Sequence, residues 1–320
     1  MSLYKFNDLT NYANIYANMS QSAYRGRPIS FPDHQEKAVC KVELIDYSQK
    51  YGAEKLVNGG KLYLQADLNQ TLTDEKTGFN AYFLTETLEL NRETEKCYLA
   101  IRGSDPIKFD HMNDWLMNNA NFALKVAYIP QAKIAKHVLQ ENIKEIKEKT
   151  KEAYLDITGH SLGSIVAVQA LAELTEEELK VIRRLVLFNG PDCWESLEKM
   201  SCSKEQIERI SEKIIYYINP FDIISMVNRE KPFQEQLGRV KYIVPFTLET
   251  TLIDTRSHDF GELQINEKGE ILVVEDNFYL DLIEKGQETA ELAMSMLTQI
   301  KTLTKKNKLF SQLVSSLGKE

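Results

Sequence analysis

The residues with the clearest chemistry are Gly159-His160-Ser161-Leu162-Gly163. An apolar run, Ala153 to Thr158, precedes them, and a strongly apolar stretch, Ile165 to Leu174, follows. A serine between two glycines at a strand-to-helix junction is the pattern of a nucleophile elbow. The chain turns so sharply there that the serine Oγ stands above the sheet edge. Strand and helix approach too closely for a Cβ at the flanking positions. The helix N-terminus aims free N–H groups and the positive end of its dipole at the place where an oxyanion would form. The bare five-residue pattern carries little; the apolar flanks give it its context.

A serine nucleophile needs a base, and the base needs an orienting acid. Of the five histidines, His34, His111 and His137 precede Ser161. His160 lies inside the elbow and is expected to point away from the serine's side. His258 is the sole histidine downstream of Asp222, which follows the apolar run Lys213 to Asn219 within Pro220-Phe221-Asp222-Ile223-Ile224. The order Ser161, Asp222, His258 is the order Ser, Asp, His of α/β-hydrolases. Asp254 and Asp259 are nearby alternatives for the acid, and Asp192 follows an earlier strand.

These residues need elements to carry them. Short apolar or alternating runs predict strands at 61–66, 79–84, 97–101, 153–158, 184–191, 213–219 and 240–245. Pro130 opens a helix to about Thr150, with Ile134, Ala135, Val138, Leu139, Ile143 and Ile146 on one stripe. The stretch from Leu162 to Leu174 is apolar nearly all round and reads as a buried helix. Thr175 to Glu178 caps a further turn, and 201–210 reads as a short outer helix. A short helix is expected around 9–24, and 38–51 is either a helix or a strand-helix piece. Residues 263–274 suggest a hairpin around Lys268-Gly269, and 278–317 an amphipathic helical tail. The expected division is a cover segment (1–58), an α/β domain (59–275) and a C-terminal helical extension (276–320). The fold class is α/β, with a mostly parallel central sheet and helices on both faces.

Composition bounds the partners. The chain has 320 residues, 43% hydrophobic and 27% charged, enough for a sizeable core. A net charge of −8 argues against a nucleic-acid partner, which requires a basic face. The four cysteines show neither metal-ligand spacing nor a disulfide framework. Met1 to Ser30 lacks the apolar core of a cleavable signal peptide, and no apolar run is long enough to span a membrane. The expectation is a protein made in the cytoplasm, with any export by a signal-independent route.

Three pieces then combine: Tyr98-Leu99-Ala100-Ile101-Arg102-Gly103-Ser104, Asp114-Trp115-Leu116, and Gly159 to Gly163. In this order they resemble the class 3 (fungal-type) lipase family of the α/β-hydrolases, over about residues 60–260. The resemblance implies that Ser104 and Leu162 supply the two oxyanion-hole donors through their backbone N–H groups. It also implies a lid over the site whose apolar face would come from Ile107, Phe109, Met112, Trp115 and Leu116; the same residues could instead form a structural segment with Trp115 in the core. Two positions depart from the family pattern. Its D-P-V-P-like sequence is here Asp222-Ile223-Ile224-Ser225, and Ser164 follows the elbow where the family has glycine. The layout, with a lipase domain first and a helical tail, is also similar in outline to the lipase toxins that Gram-positive bacteria export by type VII secretion.

The expected function is therefore a serine carboxylester hydrolase acting on glyceride or phospholipid esters at a lipid surface, with an immunity or secretion partner if it is a toxin. It would need no metal and no organic cofactor. The alternatives are a non-catalytic hydrolase-like binding module, or an esterase or amidase for small substrates on the same fold.

Overall fold

A computed structural model describes residues 14–24, 31, 41–46, 61–65, 73–74, 77–103, 128–226, 229, 236–244, 255–260, 263, 270–274 and 288. Among the described residues nine strands form one sheet: β1 (Lys41–Asp46), β2 (Lys61–Gln65), β3 (Thr73–Asp74), β4 (Phe79–Thr85), β5 (Lys96–Ile101), β6 (Tyr154–His160), β7 (Ile182–Phe188), β8 (Ile214–Ile218) and β9 (Arg239–Tyr242). Their order is β1-β2-β4-β5-β6-β7-β8-β9, with β3 beside β4. Pairing is antiparallel from β1 to β5 and parallel from β5 to β9. The described helices are α1 (Ile15–Ser22), α2 (Pro130–Lys149), α3 (Leu162–Ala172), α4 (Glu176–Leu179), α5 (Trp194–Lys199), α6 (Lys204–Ser211) and α7 (Ile223–Met226).

Parallel neighbours need crossovers, and crossovers are right-handed. From β5 to β8 each new strand is added on the same side of the last, so every connecting helix falls on the same face. Accordingly α2, α3, α5 and α6 bury their apolar residues in one cluster, with Leu139, Leu171, Leu197 and Ile210 among them. The strands alternate between this cluster and a second one. Cys97, Leu99 and Ile101 of β5 face the first; Tyr98 and Ala100 face the second, beside Ile15 and Met19 of α1. Burial on both faces is why these strands read as unbroken apolar runs. The parallel half, its connecting helices and a serine at the β6–α3 turn make this an α/β-hydrolase fold.

Local signals set the element ends. Pro130 occupies the first turn of α2, where the missing N–H costs nothing. Thr175 and Glu178 form a reciprocal capping box on α4. The open reading of 38–51 resolves in part to a strand, since β1 pairs antiparallel with β2 through Val42 and Leu64. Helix α5 has no signature in the sequence, because its six residues are too few for a period to show. Of the expected 263–274 hairpin, the described residues 271–274 run beside β9: Val244 N–H donates to Leu272 O and Val274 N–H to Tyr242 O. The C-terminal helical extension lies outside the described residues apart from position 288. Among the described residues no helix is long and apolar enough to cross a membrane.

Candidate active site

Ser161 is the N-cap of α3 at φ 57 and ψ −127, a conformation that a side-chain-bearing residue adopts at a cost. The flanking glycines make the turn feasible. A Cβ on Gly159 would lie 2.8 Å from Gly163 O, and one on Gly163 would lie 2.5 Å from Ile101 O, at the end of β5. Gly163 therefore makes room for the neighbouring strand rather than for its own. Ser161 is fully buried, and its Oγ makes no hydrogen bond among the described residues. Leu162, the first residue of α3, has no acceptor for its N–H inside the helix.

Asp222 stands one turn past β8. Its N–H donates to Asn219 O at 3.0 Å, while Phe221 N–H donates to Asn219 Oδ1 at 3.0 Å, so a side-chain-braced turn sets the carboxylate's position. Oδ1 accepts the Ile224 N–H at 3.0 Å. Oδ2 accepts from Ser225 Oγ at 2.6 Å, Ser225 N–H at 3.3 Å and His258 Nδ1 at 2.8 Å. Donors at the start of α7 thus fix the orientation of the carboxylate. Asp222 and His258 are 1% and 2% exposed, so their contact is shielded from water. A carboxylate can only accept, so Nδ1 carries the proton and the neutral imidazole keeps Nε2 as its base.

Two buried side chains hold the His258 backbone. His258 closes a 3-10 turn, Thr255–His258. Asn189, just past β7 at φ 43, donates Nδ2 to His258 O at 3.0 Å and to Ser257 O at 3.2 Å. Its Oδ1 accepts the Asn219 N–H at 2.9 Å, tying the acid's turn to the base's turn. His160 packs against the backbone and ring of His258. Its Nε2 lies 2.6 Å from His258 O, its Nδ1 lies 2.8 Å from Tyr24 OH, and its ring centroid is 4.7 Å from that of His258. A carbonyl also only accepts, so Nε2 is the protonated nitrogen of His160. Neither Asn189 nor His160 carries a local sequence signal of a site residue. Asn189 sat among turn residues that gave no further signal.

The alternative acids are engaged elsewhere or undescribed. Asp192 accepts Trp194 N–H at 2.8 Å and Leu237 N–H at 3.1 Å, and it lies 3.7 Å from Arg229 Nη1. Asp259 Oδ1 accepts the Phe260 N–H. Asp254, together with Ser104, Ile107, Phe109, Met112, Trp115 and Leu116, lies outside the described residues. Buried Arg229 donates to Ser225 O at 2.8 Å and to Gly190 O at 2.7 Å, fastening α7 to the end of β7. Burial, then the nearby Asp192 carboxylate, pushes the Cys193 thiol up to about 12. That cysteine stays protonated and is no nucleophile. Ser164 is accommodated by its surroundings: its Oγ donates to Gly159 O at 3.2 Å, and the residue facing it is Gly190, where a Cβ would lie 2.5 Å from the Ser164 Cβ.

No curated protein sequence matches the chain. Among solved structures, the Lip2 lipase of Yarrowia lipolytica is similar at 14% identity and a TM-score of 0.42, covering 79% of this chain and 84% of that one. A deletion mutant of Rhizomucor miehei lipase with its propeptide is similar at 15% identity and a TM-score of 0.32, covering 52% of each chain. The family model for lipase (class 3) matches residues 98–231, from within β5 through the elbow to just past α7. Over these residues the chain is similar to the class 3 lipases.

Proposed function

We propose that the chain is a serine lipase or phospholipase in which Ser161 is the nucleophile, His258 the base and Asp222 the orienting acid. The observation that carries this reading is the buried 2.8 Å bond between His258 Nδ1 and Asp222 Oδ2, alongside a serine held at positive φ in the elbow. Ser161 Oγ attacks the ester carbonyl while His258 Nε2 takes its proton. Asp222 stabilises the imidazolium that results. The Leu162 N–H and, by the family resemblance, the Ser104 N–H receive the oxyanion. His258 then protonates the departing alcohol, leaving an acyl-enzyme that water cleaves by the reverse proton path. The substrate is a glyceride or phospholipid presented at a lipid surface.

The test is hydrolysis of a short and a long p-nitrophenyl ester and of a phospholipid by wild type and Ser161→Ala. The expected result is cleavage by wild type and a loss of about 10⁴-fold or more in the variant. The ranking of the three substrates separates esterase, lipase and phospholipase. Equal rates for the two proteins would overturn the assignment of the nucleophile. Inactivity of a folded wild type on all three would move the binding-module reading ahead.

A further inference from the structure

We propose that Ser225 is a positioning residue of this site: its hydroxyl clamps the same Asp222 oxygen that receives the His258 N–H, and so sets how firmly the acid holds its histidine. The inference rests on reading Ser161, His258 and Asp222 as the reacting group.

Ser225 is fully buried, and its Oγ lies 2.6 Å from Asp222 Oδ2. That is the length of a charge-assisted O–H···O⁻ bond. The same Oγ is 3.3 Å from Asp222 O, but one hydroxyl proton makes one strong bond, and the shorter contact to the charged oxygen takes it. The Ser225 N–H reaches Oδ2 as well, at 3.3 Å. Where the family resemblance has proline, a residue with neither N–H nor O–H, this chain offers both donors to the acid. The serine cannot drift, because Arg229 donates to its carbonyl at 2.8 Å and to Gly190 O at 2.7 Å, pinning the turn to the end of β7.

Two consequences follow. With Oδ2 held from the α7 side, the carboxylate cannot swing, and His258 meets a fixed acceptor. Each extra donor also withdraws negative charge from Oδ2, so less of it faces the imidazolium. Removing the hydroxyl therefore strengthens the hold of the acid on a protonated His258, and more alkaline conditions are needed to free the base. The other charged or titratable groups around this pair, among the described residues, are His160 from β6 with Tyr24 behind it, Asp259 beside His258, and Arg229 with Asp192 behind Ser225. Ser225→Ala leaves all of these in place.

The experiment uses the full chain with Ser225→Ala, Ser225→Pro and Ser225→Thr. It records kcat and KM against pH on a short p-nitrophenyl ester, and the low-field proton resonance of the His258–Asp222 bond by NMR. In the Ala and Pro variants the acid limb of kcat/KM is expected to move up by about half a unit to one unit. The resonance is expected to move downfield, and kcat to fall by about three- to tenfold with KM unchanged. The Thr variant, which keeps the hydroxyl, is expected to match wild type in all three. An unmoved limb and resonance in the Ala variant would overturn the proposal, as would a Thr variant that moves as far as Ala. If Ser161→Ala still hydrolyses the ester, the reading of the nucleophile fails. The resonance, which needs no turnover, still decides the role of Ser225.

Discussion

Asn189 gathers three backbone groups from two places in the chain. Its amide nitrogen serves the carbonyls of Ser257 and His258, and its amide oxygen serves the N–H of Asn219. Its own backbone sits at φ 43, where asparagine is one of the few residues with a side chain at ease. Asn189→Asp keeps the shape and the acceptor for Asn219 but turns a donor into an anion facing two carbonyl oxygens. The expected outcome is a kcat lower by about a hundredfold with KM near wild type, because His258 is displaced rather than the substrate site. A stability loss of about 1–3 kcal/mol is expected by urea denaturation. Asn189→Gly keeps the backbone conformation without the side chain and is expected to lose about tenfold. Wild-type kcat in the Asp variant would show that His258 does not depend on this amide. His160 works on the same carbonyl from the other strand, at 2.6 Å. The His258 backbone is therefore gripped by two strand ends before its imidazole is aimed by Asp222.

At the scale of elements, the elbow departs from the family at Ser164 and recovers at Gly190. The extra side chain on α3 points at the end of β7, and glycine there leaves the space. Gly190→Ala would put a Cβ 2.5 Å from the Ser164 Cβ, and nothing in the packed interior can yield. An overpacking loss of about 1–3 kcal/mol is expected in thermal or urea denaturation. Ser164→Gly added to Gly190→Ala is expected to recover most of it, and a strictly additive double variant would sink the pairing. This pairing also shows which parts of the site could be read from the sequence. The elbow, the chain order of Ser161, Asp222 and His258, the helix opened by Pro130 and the cap at Thr175 are each written in contiguous residues or in order alone. The partners of Ser164, Asn189 and His160 are not. They depend on register, in which parallel pairing sets His160 of β6 beside Phe188 of β7 and Phe188 beside Tyr217 of β8. Apolar runs of five to seven residues pack equally well one step out of register, so nothing local announces that Gly190 will meet Ser164.

Across the whole molecule the two faces of the sheet are built differently. On β5 and β6 the face under α2, α3, α5 and α6 presents Cys97, Leu99, Ile101, Leu155 and Ile157, whereas on the other face β6 presents Asp156, Thr158 and His160 in succession. Each meets α1 or the residues just after it. Tyr16 OH donates to Asp156 Oδ2 at 2.7 Å, the Thr158 hydroxyl lies 3.3 Å from Tyr16 O, and Tyr24 OH lies 2.8 Å from His160 Nδ1. Arg183 of β7 completes the lower end, pairing with Asp156 through Nε at 2.8 Å and through Nη2, and stacking over Tyr154. Burial, then the Asp156 carboxylate, holds the Tyr16 phenol well above its ordinary value, so it remains a donor. The same short segment thus anchors the domain at one end of β6 and touches the candidate site at the other. The two ends should separate. Tyr16→Phe removes a bond to a fully buried carboxylate, with an expected loss of about 1–3 kcal/mol in urea denaturation and an unchanged kcat. Tyr24→Phe removes a partner of His160 and loosens the tautomer that donates to His258 O. It is expected to lower kcat by about three- to tenfold while stability stays within about 1 kcal/mol of wild type. If Tyr16→Phe cut kcat as deeply as Tyr24→Phe, the segment would act as one rigid body, and the site would depend on the anchoring of α1 as a whole rather than on the His160 contact.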